Sequence, residues 1–284
     1  MKGLALTGIS IAASGLVLVS TLLLVSGGHG LSPMYGQFVI MTIIVILWLV
    51  VVWQCWPFSM ITNDPFKFGL ITLLASYFIA YAIWQVFFEY SILGKIGHPN
   101  YYADVDPGGM FDAWLAMSFA VTTVAVVLVQ ALFDFSLINK LTAGAAQPLR
   151  GIVHTLVVLG LSWLIHTGFV DWLGMDQVEY MIRVPVCMLF GVFLITNMMQ
   201  FSLFPKMAQP LRGLMLLLCA IAAALFMYEL YSFASSWYTG EMLAMGPHNG
   251  YARELWVASA MLGVTFPLIF IFSGFFGFWP IKRG

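Results

Sequence analysis

Long apolar stretches at regular intervals constrain this chain more than any other feature. Eight of them, at about 4–26, 36–58, 67–90, 113–134, 150–171, 180–204, 211–236 and 255–278, reach the roughly 20 residues that a bilayer-crossing helix needs. Lipid offers no water to backbone N–H and C=O groups, so only helices and closed barrels span it. The runs are too long and unbroken for barrel strands, which alternate over about ten residues. Clusters of glycine, proline and polar residues separate them, as in Gly27-Gly28-His29-Gly30 and Gly97-His98-Pro99-Asn100. An all-α, polytopic membrane bundle of eight transmembrane helices follows, forming a single transmembrane domain over 1–284.

Composition closes the other routes. Only 8% of residues are charged and 62% are hydrophobic, whereas a soluble domain carries about 25% charged residues. A water-facing surface cannot be built from so little charge, which excludes a soluble enzyme and a disordered chain. Eleven Lys+Arg against twelve Asp+Glu leave no basic excess for phosphates, so nucleic acid is not a partner. The first stretch is read as a span, because its apolar run outlasts a usual signal peptide's core and Ser-Gly-Gly-His-Gly offers no convincing cleavage site. Cys55, Cys187 and Cys219 all fall in apolar runs and are expected as free, buried thiols.

Eight spans put both termini on one side. That side then holds Lys2, Lys67, Lys140, Arg150, Lys206, Arg212, Lys282 and Arg283, against Lys95, Arg183 and Arg253 on the other. Basic residues crowd the cytoplasmic ends of spans, so both termini are expected inside, in a cell membrane of the bacterial inner-membrane type. Acids contribute little to that assignment, so their distribution is separate information. Ten of twelve fall on the outer side: Glu89, Asp104, Asp106, Asp112, Asp171, Asp176, Glu179, Glu229, Glu241 and Glu254. An outer face this acidic concentrates cations.

The cytoplasmic turns resemble one another. Phe135-Ser136-Leu137 followed by Gln147-Pro148-Leu149-Arg150-Gly151 is echoed by Phe201-Ser202-Leu203 and Gln209-Pro210-Leu211-Arg212-Gly213. A looser copy runs through Phe58-Ser59-Met60 and Asp64-Pro65-Phe66-Lys67-Phe68-Gly69. All enter and leave in the same direction, which predicts parallel two-helix hairpin repeats over about 36–92, 113–172 and 180–237, with 254–284 pairing with 1–27. These motifs pin helix ends rather than do chemistry.

Aligning the outgoing helices on Gly69, Gly151 and Gly213 sets Trp84, His166 and Tyr228 at one level. Gln85, Thr167 and Glu229 follow, then Glu89, Asp171 and Phe233 four residues on. Fifteen residues of helix climb about 22 Å, into the outer leaflet. Ionisable groups there usually face a bundle interior or a wet cavity. Arg183, three residues into its span, is the expected partner of Glu229 or Asp171. Glu229, His166, Asp171, Arg183, Gln85, Glu89 and Tyr228 form the candidate substrate-binding set, for a small and cationic solute. Pro185 and Pro267 are positions where helices break and free carbonyls near a site.

A second reading makes the chain the membrane subunit of a larger complex, a metal-dependent oxidase or monooxygenase with an outward-facing centre. His29, His98 and His248 with Asp104 and Asp106 are its candidate metal ligands, although no pair has a recognised ligand spacing. Haem is not expected: two bis-histidine haems need four embedded histidines, and only His154 and His166 lie in spans. No P-loop, GxSxG, HExxH or dinucleotide fingerprint occurs. Transport is favoured over the oxidase, and the lipid bilayer, other membrane subunits or further copies of the chain are the expected partners.

Overall fold

The structure, a computed structural model, describes residues 33–62, 64–88 and 113–276. Within them the fold is all-helical, without a strand. The long helices are α1 (Pro33–Leu47), α2 (Pro65–Phe88), α3 (Ala113–Leu132), α4 (Leu149–Trp172), α5 (Gln177–Met198), α6 (Leu211–Thr239) and α7 (Ala252–Gly274). α1 runs on through a π-helical turn, Trp48–Val52. Six of the helices, α2 to α7, are long and apolar enough to cross a membrane, and Ile40–Val52 is a shorter apolar helix. Each falls on an expected span. The first expected span, 4–26, lies outside the described residues.

Large apolar side chains stand exposed along these helices, among them Phe78, Leu156, Trp163, Leu225 and Phe226. Such a surface suits lipid rather than water. The chain is a membrane protein by this measure.

Local chemistry explains where the helices start. Asp64 Oδ1 accepts the N–H groups of Phe66 and Lys67, at 2.9 and 3.1 Å, so α2 opens on a capped turn with Pro65 in its first position. Asp176 does the same for α5, accepting from Val178 and Glu179. Pro185 lies in a π-helical turn, Ile182–Val186, and a second such turn, Met261–Thr265, immediately precedes the short run that holds Pro267. A widened turn accommodates the missing N–H and the ring.

The described chain divides into two compact units. Unit I takes residues 33–127 and 137–167, and unit II takes 128–136 and 168–276. In unit I, Val52, Val126, Val127 and Val158 form the core, with Trp48, Trp53 and Ile165 against it. In unit II the core is Leu132, Val192, Ile195, Leu216 and Ala220. There α5 and α6 approach so closely that a Cβ on Gly191 would lie 2.2 Å from the carbonyl oxygen of Ala220. Small residues permit this approach where lipid supplies no hydrophobic drive.

Each unit holds one Gln-Pro-Leu-Arg-Gly turn, with the same contacts in each. In unit I, Gln147 donates Nε2–H to the carbonyl of Val52 at 3.2 Å, and its Oε1 accepts the N–H of Gly151 at 2.9 Å. In unit II, Gln209 donates to Leu132 O at 3.0 Å and accepts from Gly213 N at 3.0 Å. A Cβ on Gly151 would meet the Trp53 ring at 2.8 Å, and one on Gly213 the Phe133 ring at 2.3 Å. Glycine is required at both because the following helix starts against an aromatic face. The looser turn differs: Asp64 caps locally, and a Cβ on Gly69 would meet nothing within 4 Å.

Candidate functional site

α6 ends at Thr239, where Gly240 turns the chain with φ 84°. Gly246 (φ 82°) and Gly250 (φ 60°) bend it again before α7 begins at Ala252. Glycine meets no Cβ penalty at such angles. The first turn of α7 then straps this loop down. Arg253 donates Nε–H to Leu243 O at 2.6 Å and lies 3.0 Å from the Met245 sulfur. Glu254 Oε1 accepts the N–H of Gly246 at 3.2 Å. Ser235 Oγ accepts the N–H of Leu243 from the side of α6.

Glu254 is the unusual member. It is 0% exposed, and its second oxygen, Oε2, has no hydrogen-bond partner in the protein. The Tyr228 hydroxyl and Ser232 Oγ on α6, at 6% and 1% exposure, are also without a partner. Tyr228 and Ser232 are four residues apart, so both lie on one helical face. The start of α7 packs against α6, and Trp256 donates Nε1–H to Tyr231 O at 3.0 Å, which sets Glu254 level with that face. Tyr228 also lies within electrostatic reach of Glu254, Arg183 and Arg253.

α5 closes the other side. Arg183 forms an ion pair with Glu179 one turn earlier and lies over the Tyr228 ring, 5.2 Å from its centroid. That is cation–π geometry, and it anchors the phenol by its face. Asp176, besides capping α5, accepts the Tyr251 hydroxyl at 3.0 Å. Burial, then that bond, hold the Tyr251 phenol above its ordinary range.

The expected residues are distributed as follows. Tyr228 and Arg183 stand together here. Glu229 is exposed on α6, and the partner expected for it is corrected: Arg183 pairs with Glu179, because one helical turn brings those two together. Asp171 is exposed at the end of α4. His166 belongs to unit I, buried, 3.1 Å from Ser118 Oγ with the Phe119 ring edge-on to it. Gln85 lies in α2, and Glu89 is outside the described residues.

Of the candidate metal ligands, His248 is exposed on the loop before α7, and His29, His98, Asp104 and Asp106 lie outside the described residues. Among the described residues no three His, Cys, Asp or Glu side chains gather as a metal centre would require. A recess of about 390 Å³ in unit II is lined by Leu194, Met198, Met227, Thr265, Leu268, Ile269 and Phe272. Its one hydroxyl, on Thr265, is taken by Tyr231 at 2.5 Å, so it offers nothing to a polar ligand. Cys187 is buried and Cys55 and Cys219 half-buried, all three as free thiols.

Sequence reasoning missed Glu254 and Ser232 as site residues. A signal was present: Tyr228, Ser232, Ser235 and Thr239 recur at helical spacing along an otherwise apolar α6. Glu254 carried no such mark, lying one residue before an apolar stretch. The chain matches no known protein family, no curated protein and no solved structure.

Proposed function

We propose that this membrane protein binds and moves a small cationic solute through the polar cluster of Glu254, Tyr228 and Ser232 at the outer end of unit II. One observation carries the reading: a fully buried carboxylate with an oxygen unpartnered, beside two unpartnered hydroxyls. Carboxylate oxygens removed from water demand a donor or a cation. Among all the polar groups of the unit, this set is the one with acceptor capacity left over. Arg183 holds Tyr228 in place, and Glu179 neutralises Arg183, so neither contributes free charge.

The same reading sets eight spans in a cell membrane with both ends cytoplasmic, supported by the bias of basic residues toward one set of turns. It takes the hairpins as parallel repeats, supported by the matching contacts of Gln147 and Gln209. Bilayer lipid and further copies of the chain are the partners that its exposed apolar surface suits. The test is uptake by sealed vesicles carrying the purified protein. Small cations should accumulate or equilibrate faster than in protein-free vesicles, chloride should not, and Glu254→Gln should remove the difference. Equal uptake with and without protein, across inorganic cations and methylammonium, contradicts the reading.

A further inference from the structure

Resting on that reading, we infer that the ligand of the Glu254–Tyr228–Ser232 cluster is a bare monovalent metal cation rather than an organic amine. Access decides the size. The three side chains are 0%, 6% and 1% exposed, so protein already surrounds them on every side. A dehydrated ion fits among side-chain oxygens, whereas an amine brings carbon atoms that need a pocket of their own.

The donor set decides the kind. Carboxylate, phenol and hydroxyl oxygens are hard ligands, and neither nitrogen nor thiolate belongs to the unpartnered group, which disfavours zinc, copper and iron. Charge decides the valence. One carboxylate supplies a single negative charge, while Arg183 over Tyr228 and Arg253 beside Glu254 place two guanidinium groups nearby. Calcium is ordinarily held by several carboxylates and six to eight oxygens. A monovalent ion balances this site, and a divalent one does not.

The route follows from the same carboxylate. Glu254 Oε1 holds Gly246, and Arg253 holds Leu243, so the 243–246 segment covers the cluster and must lift before an ion reaches Oε2.

Equilibrium binding to the full chain in detergent or lipid nanodiscs tests this, using radioactive sodium, rubidium, calcium and methylammonium separately. One saturable sodium or rubidium ion per chain is expected, undisturbed by excess methylammonium. Glu254→Gln should abolish binding while Gln still accepts the Gly246 N–H. The milder Tyr228→Phe and Ser232→Ala should each weaken it about tenfold, the scale of one lost contact to a charged ligand. Methylammonium or calcium binding in place of the monovalent metals overturns the inference and leaves the cation reading standing. Unchanged sodium or rubidium binding in all three variants overturns the site. No binding of any of the four removes both.

Discussion

His166 in unit I and Glu254 in unit II are both ionisable, both almost wholly buried, and both placed in a terminal turn of their helix. They end differently. His166 meets Ser118 Oγ at 3.1 Å and packs its ring against Phe119. Trp48 Nε1–H, nearby in the same unit, finds Thr123 Oγ1 at 3.0 Å. Glu254 satisfies one oxygen on a backbone N–H and leaves the other open, with two hydroxyls open on the neighbouring helix. Unit I has unpartnered hydroxyls too, on Thr155 and Ser162, but these are neutral groups. An unmatched hydroxyl costs little beside an unmatched carboxylate. The lesson is that burial of an ionisable group does not by itself mark a site. What remains unpaired after packing does.

The comparison supposes that close packing, not the polar groups, holds unit II together. Gly191→Ala should therefore have the largest effect on stability, because its Cβ would collide with the Ala220 carbonyl. A loss of about 1–3 kcal/mol is expected, read as a lowered unfolding temperature in detergent. Gly69→Ala, with nothing within 4 Å, should instead be neutral or gain about 0.5–1 kcal/mol as a helix-interior replacement. If the two variants behave alike, the close approach of α5 and α6 is not what fixes the site.

Next in size is Gln209→Leu. It strips partners from Leu132 O, Asp134 and Gly213 N together, and about 1–2 kcal/mol should be lost. Gln147→Leu should follow it closely, since its contacts are the same but for the aspartate. His166→Leu is milder. Ser118 keeps its bond to Leu115 O, so about 0.5–1.5 kcal/mol is expected, with cation binding intact. Loss of binding in that variant would mean that unit I also contributes to the site.

How far the sequence alone reads is clearest on α6. Counting from Gly213 places Tyr228 and Glu229 at the right depth, and six expected spans appear as helices of the right length. Depth follows from the fixed rise per residue. Facing does not. Adjacent helical residues point about 100° apart, so when Tyr228 turns inward Glu229 turns out. α6 is apolar around its whole circumference, and no hydrophobic stripe indicates which side is buried. Only the neighbours, α5 through Gly191 and α7 through Trp256, set the rotation. Those contacts lie between residues 25 or more positions apart and leave no local trace. The Gln-Pro-Leu-Arg-Gly turns were legible for the opposite reason, because capping and proline chemistry are local.

Glu229→Gln is the smallest expected effect. The side chain is exposed, so stability should shift by less than about 0.5 kcal/mol and the Arg183–Glu179 pair should persist.

Set beside Glu254→Gln, that variant gives the most direct measurement. The two changes are chemically identical, both residues are glutamates of unit II, and they differ in burial and pairing. Sodium uptake into vesicles carrying wild type, Glu254→Gln or Glu229→Gln, with equal amounts of folded protein, compares them on one scale. Uptake should fall to the protein-free level in Glu254→Gln and stay near wild type in Glu229→Gln. Loss in Glu229→Gln with retention in Glu254→Gln would contradict the account, and would place the working carboxylate on the exposed face of α6.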